Sequence, residues 1–143
     1  MELEHLSPSR PALEKEKAAI ASFLTVHLER FGDPEEQVRR ALDYALDPAR
    51  GGFVLTAREG GAIAGAVVVN DTKMGGYIPA NILVYIAVDA GQRGKGIGRR
   101  LMEAAIANCT GGIALHVEPD NPARQLYESL GFTNKYLEMR LAQ

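Results

Sequence analysis

Cysteine is all but absent from this chain. Its one thiol, Cys109, cannot close an internal disulfide, and no Cys-x-x-Cys pair exists to hold a metal or run a redox cycle. Near a helix end, it reads as a small, inert residue. Long hydrophobic runs are missing too. The longest apolar stretches, around Ala62 to Val69 and Ile82 to Val88, fall far short of a bilayer's width, and the opening MELEHLSPSR carries early glutamates and no apolar leader core. Nor is there an excess of charge. The 16 Lys and Arg against 18 Asp and Glu leave a formal net charge of -2, so no broad basic surface is expected. Repeats and low-complexity tracts are also lacking. These absences predict a soluble, cytoplasmic chain with neither nucleic acid nor membrane as a partner, and with no metal. Its 143 residues, 46% of them hydrophobic, suit a single domain spanning 1–143.

What is present changes character near residue 50. Before it, Ile20, Leu24, His27, Leu28 and Phe31 form one helical stripe that Gly32 could end in a left-handed cap. Asp33 then offers an N-cap, with Pro34 first in a second helix and Val38, Ala41, Leu42 and Ala45 on its apolar face. Two helices are thus expected before the sheet. From Gly51 the pattern turns to strands: FVLTARE, a Gly60-Gly61 hairpin turn and AIAGAVVVND. Residues 71 to 81 read as a loop, and ILVYIAV as a strand buried on both faces.

That strand runs into GQRGKGIGRR, where glycines alternate with basic residues and no carboxylate interrupts. Ile97, Leu101, Ala104 and Ala105 share a helical face, so a helix starts inside the glycine run. A helix N-terminus presents unpaired N–H groups and a partial positive charge, and glycines let an anion reach the backbone. A phosphate group is the expected guest. The P-loop spacing fails because no Ser or Thr follows Gly94-Lys95, and the Rossmann spacing fails at Arg99 and Leu101.

The pattern that fits, Arg93-x-x-Gly96-x-Gly98 after a strand ending Val88-Asp89, resembles the signature of the GNAT superfamily of acyl-CoA-dependent N-acyltransferases. Residues 115 to 132, LHVEPDNPARQLYESLGF, look like the second signature of that superfamily, and the likeness covers about residues 52 to 141. The resemblance implies a mixed α/β fold, with a central, mainly antiparallel sheet and helices on both faces. It also implies acetyl-CoA as co-substrate and an amine as acceptor; a homodimer is left open. Arg93, Gly94, Lys95, Ile97 and Arg99, with Gly96 and Gly98, would cradle the pyrophosphate. The ILVYIAV and IALHV strands would run parallel and splay, with the pantetheine arm pairing along Ile86 and Val88 and meeting Asn121; Arg124 would also bind the cofactor. A final strand would open at Gly131-Phe132. The acceptor side would come from the two N-terminal helices and the loop at 71 to 81. Many relatives have one more residue between the asparagine and the tyrosine than NPARQLY has.

Read for their own chemistry, Asn121 is a good N-cap ahead of Pro122, and Gly131 stops the helix. Acetyl transfer from a thioester expels a thiolate whose conjugate acid has a pKa near 8.5, and a phenol near 10 can supply it with a proton. The resemblance gives that task to Tyr127. An amine acceptor must also lose a proton. The position where many relatives carry a glutamate on the central strand is Val84 here. Where others place one, just before the valine of the LxV strand, stands His116; alternation sets His116 and Glu118 on one face. Both are candidate bases. Tyr85 is either a core or acceptor-pocket residue or one that orders a water. Two other readings follow from the same residues: an acyl-CoA-binding regulatory domain without turnover, and a nucleotide-binding module using the same anion nest.

Overall fold

The Gly60-Gly61 turn forms as the sequence predicts. In the computed structural model, which describes residues 1–143, these glycines hold φ of +57° and +87°, the pair of positive angles a two-residue hairpin needs. They join β2 (Gly52–Glu59) to β3 (Ala62–Asp71). β4 (Asn81–Val88) adds antiparallel to β3, and β5 (Ile113–Leu115) runs parallel to β4 after the crossover helix α3 (Ile97–Asn108). No helix is long and apolar enough to cross a membrane.

The outermost strand, β1 (Glu2–Leu6), is one the sequence does not announce. ELEHL has no apolar alternation, and it is extended because β2 offers it a ladder, from Glu2 opposite Arg58 to Leu6 opposite Val54. The sheet, in order β1-β2-β3-β4-β5, therefore begins before the helices α1 (Glu14–His27) and α2 (Glu35–Leu46) rather than after them.

Side-chain alternation sorts the sheet into two faces. Val54, Ala66 and Val68 meet Ile20, Leu24, Val38 and Leu42 of α1 and α2 in one buried cluster. Leu55, Val67 and Val69 turn the other way, toward Leu101 and Met102 of α3 and Tyr127 of α4 (Ala123–Ser129). Helices thus cover both faces of a mixed α/β sheet, as expected. The seat of α3 is a glycine: a Cβ on Gly65 would lie 2.7 Å from Leu101 Cδ1 and 3.1 Å from Ile97 Cγ2, so the helix rests on bare backbone.

Three local expectations are corrected. α1 ends at His27 and is followed by a 3-10 turn at Glu29–Phe31; Gly32 is extended, and the left-handed residue is Glu29, at φ +55°. Asp33 does not cap α2, because Pro34 occupies the cap position and no side chain bonds there. No strand follows Gly131-Phe132. Tyr136, Leu137, Met139 and Leu141 stay exposed, and β5 spans three residues, which leaves little edge for a further strand to pair with.

Candidate active site

The site is built where β4 and β5 part. Their ladder runs from Asn81 opposite Ile113 to Leu83 opposite Leu115 and stops there. On its other side β4 stays paired with β3 as far as Val88, but with a bulge: Val68 faces Tyr85 and Val69 faces Leu83, so Val84 is the extra residue. Val84 and Tyr85 consequently both reach the α1/α2 core, while Ile86 and Val88 turn their side chains to the α3 and α4 face. The backbone N–H of Asp89 donates to Ala64 O of β3 at 2.8 Å. By strand alternation the backbone groups of Val88 and Ile86 point the opposite way, into the gap β5 has left. The splay expected from the sequence is present.

Beyond Val88 the chain makes the glycine loop. Asp89 Oδ1 accepts from Gly91 N at 2.8 Å and fixes a 3-10 turn, Ala90–Gln92. Gly94 and Gly96 then take φ of +82° and +79°, and Gly96 stands at the head of α3. The outcome is a row of donors: none of the backbone N–H groups from Arg93 to Arg99 has an acceptor inside the chain. No Cβ clash explains Gly94 or Gly96; their angles do.

The basic side chains around this row are mostly engaged elsewhere. Arg93 donates to Glu29 Oε1 at 2.9 Å and to the His27 carbonyl at 3.0 Å, while Ala90 N donates to His27 Nδ1 at 3.2 Å. Lys95 reaches Gln92 at 2.9 Å. Arg99 donates to Ser129 of α4 at 2.6 Å, and Arg124 lies 3.6 Å from Glu128. The turn after α1 also crosses to the second signature, where Arg30 donates to Asp120 at 2.9 Å and, through that bond, holds the Asp120 carboxyl below the usual range. Glu29, Arg30 and Asp120 went unsuspected in the sequence because these pairs join residues more than sixty positions apart.

Asn121, expected as the cap of α4, stands one position before it, and Pro122 occupies the cap. Its Oδ1 still accepts from the N–H of Ala123, the first residue of α4, at 2.9 Å, and its amide nitrogen is left free of the helix. Gly131, at φ +102°, stops α4 as expected. Tyr127, on the buried face of α4, has 7% of its surface exposed and lies edge-on to Phe132. Its hydroxyl bonds to no group of the protein. Because every fully buried side-chain polar atom has a partner, this oxygen keeps an outlet. Burial pushes the phenol up to about 12.

Leu115 and Val117 pack against the α3 and α4 core, so His116 and Glu118 face the α1/α2 side, exposed and just past the end of β5. His116 Nδ1 lies 3.4 Å from Arg140 Nη2 and 3.9 Å from Glu138. On the same side Tyr85 donates to Asp33 Oδ2 at 2.5 Å, and burial first, then that bond, raises its phenol above the ordinary value. The loop at 71 to 81 lies at the opposite end of β4 from the glycine loop and closes on itself, with Thr72 N on Ala80 O and Thr72 Oγ1 on Pro79 O. No cluster of three or more His, Cys, Asp or Glu side chains has the geometry to hold a metal.

Residues 17–132 match the acetyltransferase (GNAT) family. The chain belongs to this family. The N-alpha-acetyltransferase RimI of Mycobacterium tuberculosis is 37% identical over 87 residues, covering 59% of this chain and 54% of that protein. The chain thus aligns with about half the length of this curated relative. A ribosomal-protein-alanine N-acetyltransferase from Brucella melitensis biovar Abortus superposes over 100% of this chain and 99% of its own, at a TM-score of 0.70 and 18% identity. An aminoglycoside N-acetyltransferase in complex with CoA superposes at a TM-score of 0.69 and 14% identity, over 99% and 95% of the two chains. At such identities these two likenesses are of fold.

Proposed function

We propose that this chain transfers an acetyl group from acetyl-CoA directly to a primary amine, on a small molecule or a protein N-terminus. The observation that carries the reading is the row of acceptor-less amides from Arg93 to Arg99, set at the end of the free β4 edge. The amides of Arg93, Gly94, Lys95, Gly96, Ile97, Gly98 and Arg99 suit a pyrophosphate. The backbone of Ile86 and Val88 suits the amides of the pantetheine arm, and Asn121 and Arg124 at the head of α4 flank its course. Acetyl-CoA, once bound, supplies an acyl group on a thiol leaving group.

The two faces of the split sheet divide the remaining work. Tyr127 belongs to the α3/α4 face, and His116, with Glu118 as the second candidate, to the α1/α2 face. His116 takes a proton from the amine, and Tyr127 offers its hydroxyl hydrogen to the sulfur as negative charge builds there. With the phenol at about 12 and a thiol near 8.5, full proton transfer is uphill, so Tyr127 acts first as a hydrogen-bond donor. The names of the relatives, an N-alpha-acetyltransferase and an aminoglycoside N-acetyltransferase, support an amine acceptor of either kind. The cytoplasm, where acetyl-CoA and free amines meet, is the setting this reading implies.

Calorimetry with CoA, ATP and NAD, followed by thiol release from acetyl-CoA across an amine panel, tests the proposal. CoA binding with turnover on at least one amine is expected. Binding without turnover would leave the acyl-CoA-binding regulatory domain, and a preference for ATP or NAD would overturn the CoA site.

A further inference from the structure

The carboxylate of Asp33 stands in a position that helix capping does not explain. In the sequence it precedes Pro34 as a ready N-cap, yet it makes no cap bond and reaches across 52 positions to the hydroxyl of Tyr85. That bond occupies Oδ2. Asp33 is exposed, and its only hydrogen bond is the one Oδ2 accepts from Tyr85, so Oδ1 has no protein partner. Tyr85 is aimed at it by the bulge at Val84, which turns two successive residues of β4 to the α1/α2 face.

This carboxylate lies beside the split. Tyr85 is two residues beyond Leu83, the last residue of β4 that pairs with β5. From Val88 to Val84 is about 13 Å of strand, so an acyl chain laid along the free edge from the glycine loop ends near the level of Tyr85. The same face carries His116 and, from the C-terminal segment, Glu138 and Arg140. Arg140 is hydrogen-bonded to Glu138, and its proton is held chiefly by that residue, with a lesser contribution from Asp33. Glu138 thus answers Arg140, and Asp33 itself forms no ion pair, so its negative charge is left for something else.

Resting on the transfer reading above, we propose that Asp33, held by Tyr85, is the docking point for the cationic amino group of the acceptor. A primary ammonium has three N–H donors, of which one meets Oδ1 while another can point toward His116. A carboxylate beside an ammonium favours its charged form, so Asp33 serves capture and orientation while His116 removes the proton. Tyr85 is a positioning residue that acts through Asp33. The class of acceptor this selects is an amine that arrives charged.

The test compares benzylamine, cationic near neutral pH, with phenylhydrazine, close in shape and neutral there. Asp33→Asn should raise the KM for benzylamine about 5- to 30-fold, change that for phenylhydrazine less than about 2-fold, and leave the KM for acetyl-CoA in place. Tyr85→Phe should show the same selectivity at smaller size. Equal effects on both acceptors, or none, would overturn the assignment, with thermal melting and CoA calorimetry confirming that each variant is folded. Should the parent acetylate no amine, the transfer reading fails separately. NMR-detected binding of benzylamine to the CoA-loaded protein then still decides: binding lost in Asp33→Asn supports the docking point, and binding kept, or absent in the parent, removes it.

Discussion

Arg93 Nη1 meets Glu29 Oε1 at 2.9 Å, so the guanidinium that opens the glycine signature is committed to the turn after α1 and not to the anion. In the proposed CoA site the backbone, not this side chain, would hold the phosphates. Arg93→Ala should therefore weaken CoA binding less than about 5-fold. The pair is half exposed, and its loss should cost under about 1 kcal/mol of stability. Calorimetry and denaturant unfolding measure both; a loss of CoA affinity above a hundredfold would mean that Arg93 turns to the phosphates.

Gly96 and Gly98 of the loop should not be equivalent. Gly96 sits at φ +79°, where a side chain is strained by about 1 kcal/mol or more. Gly98 has no such angle, and a Cβ there would meet Leu126 and Val88 at an ordinary 3.6 Å. Gly96→Val should cost about 1 to 3 kcal/mol in stability or CoA binding, and Gly98→Ala less than about 1 kcal/mol in stability. Thermal melts with and without CoA separate the two, and a Gly96→Val protein that melts and binds like the parent would contradict the loop geometry.

Tyr127→Phe removes a hydroxyl that no protein group uses, so folding and CoA affinity should stay within a few-fold of the parent while turnover falls roughly 10- to 1,000-fold. The phenol adds a pH signature. Its folded value of about 12 lies above an unfolded value near 10, so the folded state holds the proton more tightly. The stabilisation is complete below about pH 10 and is lost as pH rises toward 12, over a span worth about 2 to 3 kcal/mol. Alkaline unfolding of the parent should therefore be steeper across that range than that of Tyr127→Phe.

For the base, log(kcat/KM) corrected for acceptor ionisation should rise with slope one through roughly pH 6 to 7 and then level off. His116→Ala should erase the inflection and lower the plateau, while Glu118→Gln should keep it. A parent-like profile in His116→Ala would remove the assignment, and loss of the inflection in Glu118→Gln alone would give the role to the carboxylate.

The legible parts of this molecule are those whose cause is local. Gly60-Gly61, the glycines around Lys95 and the stop at Gly131 announce their turns because few other residues accept those angles. The stripes of α2 and α3 announce buried faces in the same way. What stayed hidden depends on partners far along the chain. β1 is extended only because β2 accepts it. The bulge at Val84 belongs to a register between two strands, and ILVYIAV looks the same with or without it. Asp33 had every local reason to cap α2, and a tyrosine 52 residues away claims it instead. The last strand failed for the converse reason: Leu137, Met139 and Leu141 alternate well enough, but β5 offers them only three residues.

The parting of β4 from β5 also bears on how this sheet meets other proteins. An unpaired strand edge at the rim of a sheet invites a neighbouring chain to add to it. Here the free stretch from Val84 to Val88 lies inside the sheet, between two strands that share a root at Asn81 to Leu83 and Ile113 to Leu115. A second polypeptide strand, with side chains on both faces, is too thick to thread such a notch; a slender, nearly unbranched chain carrying amides is not. The fold thus keeps an open edge for recognition without exposing one for aggregation.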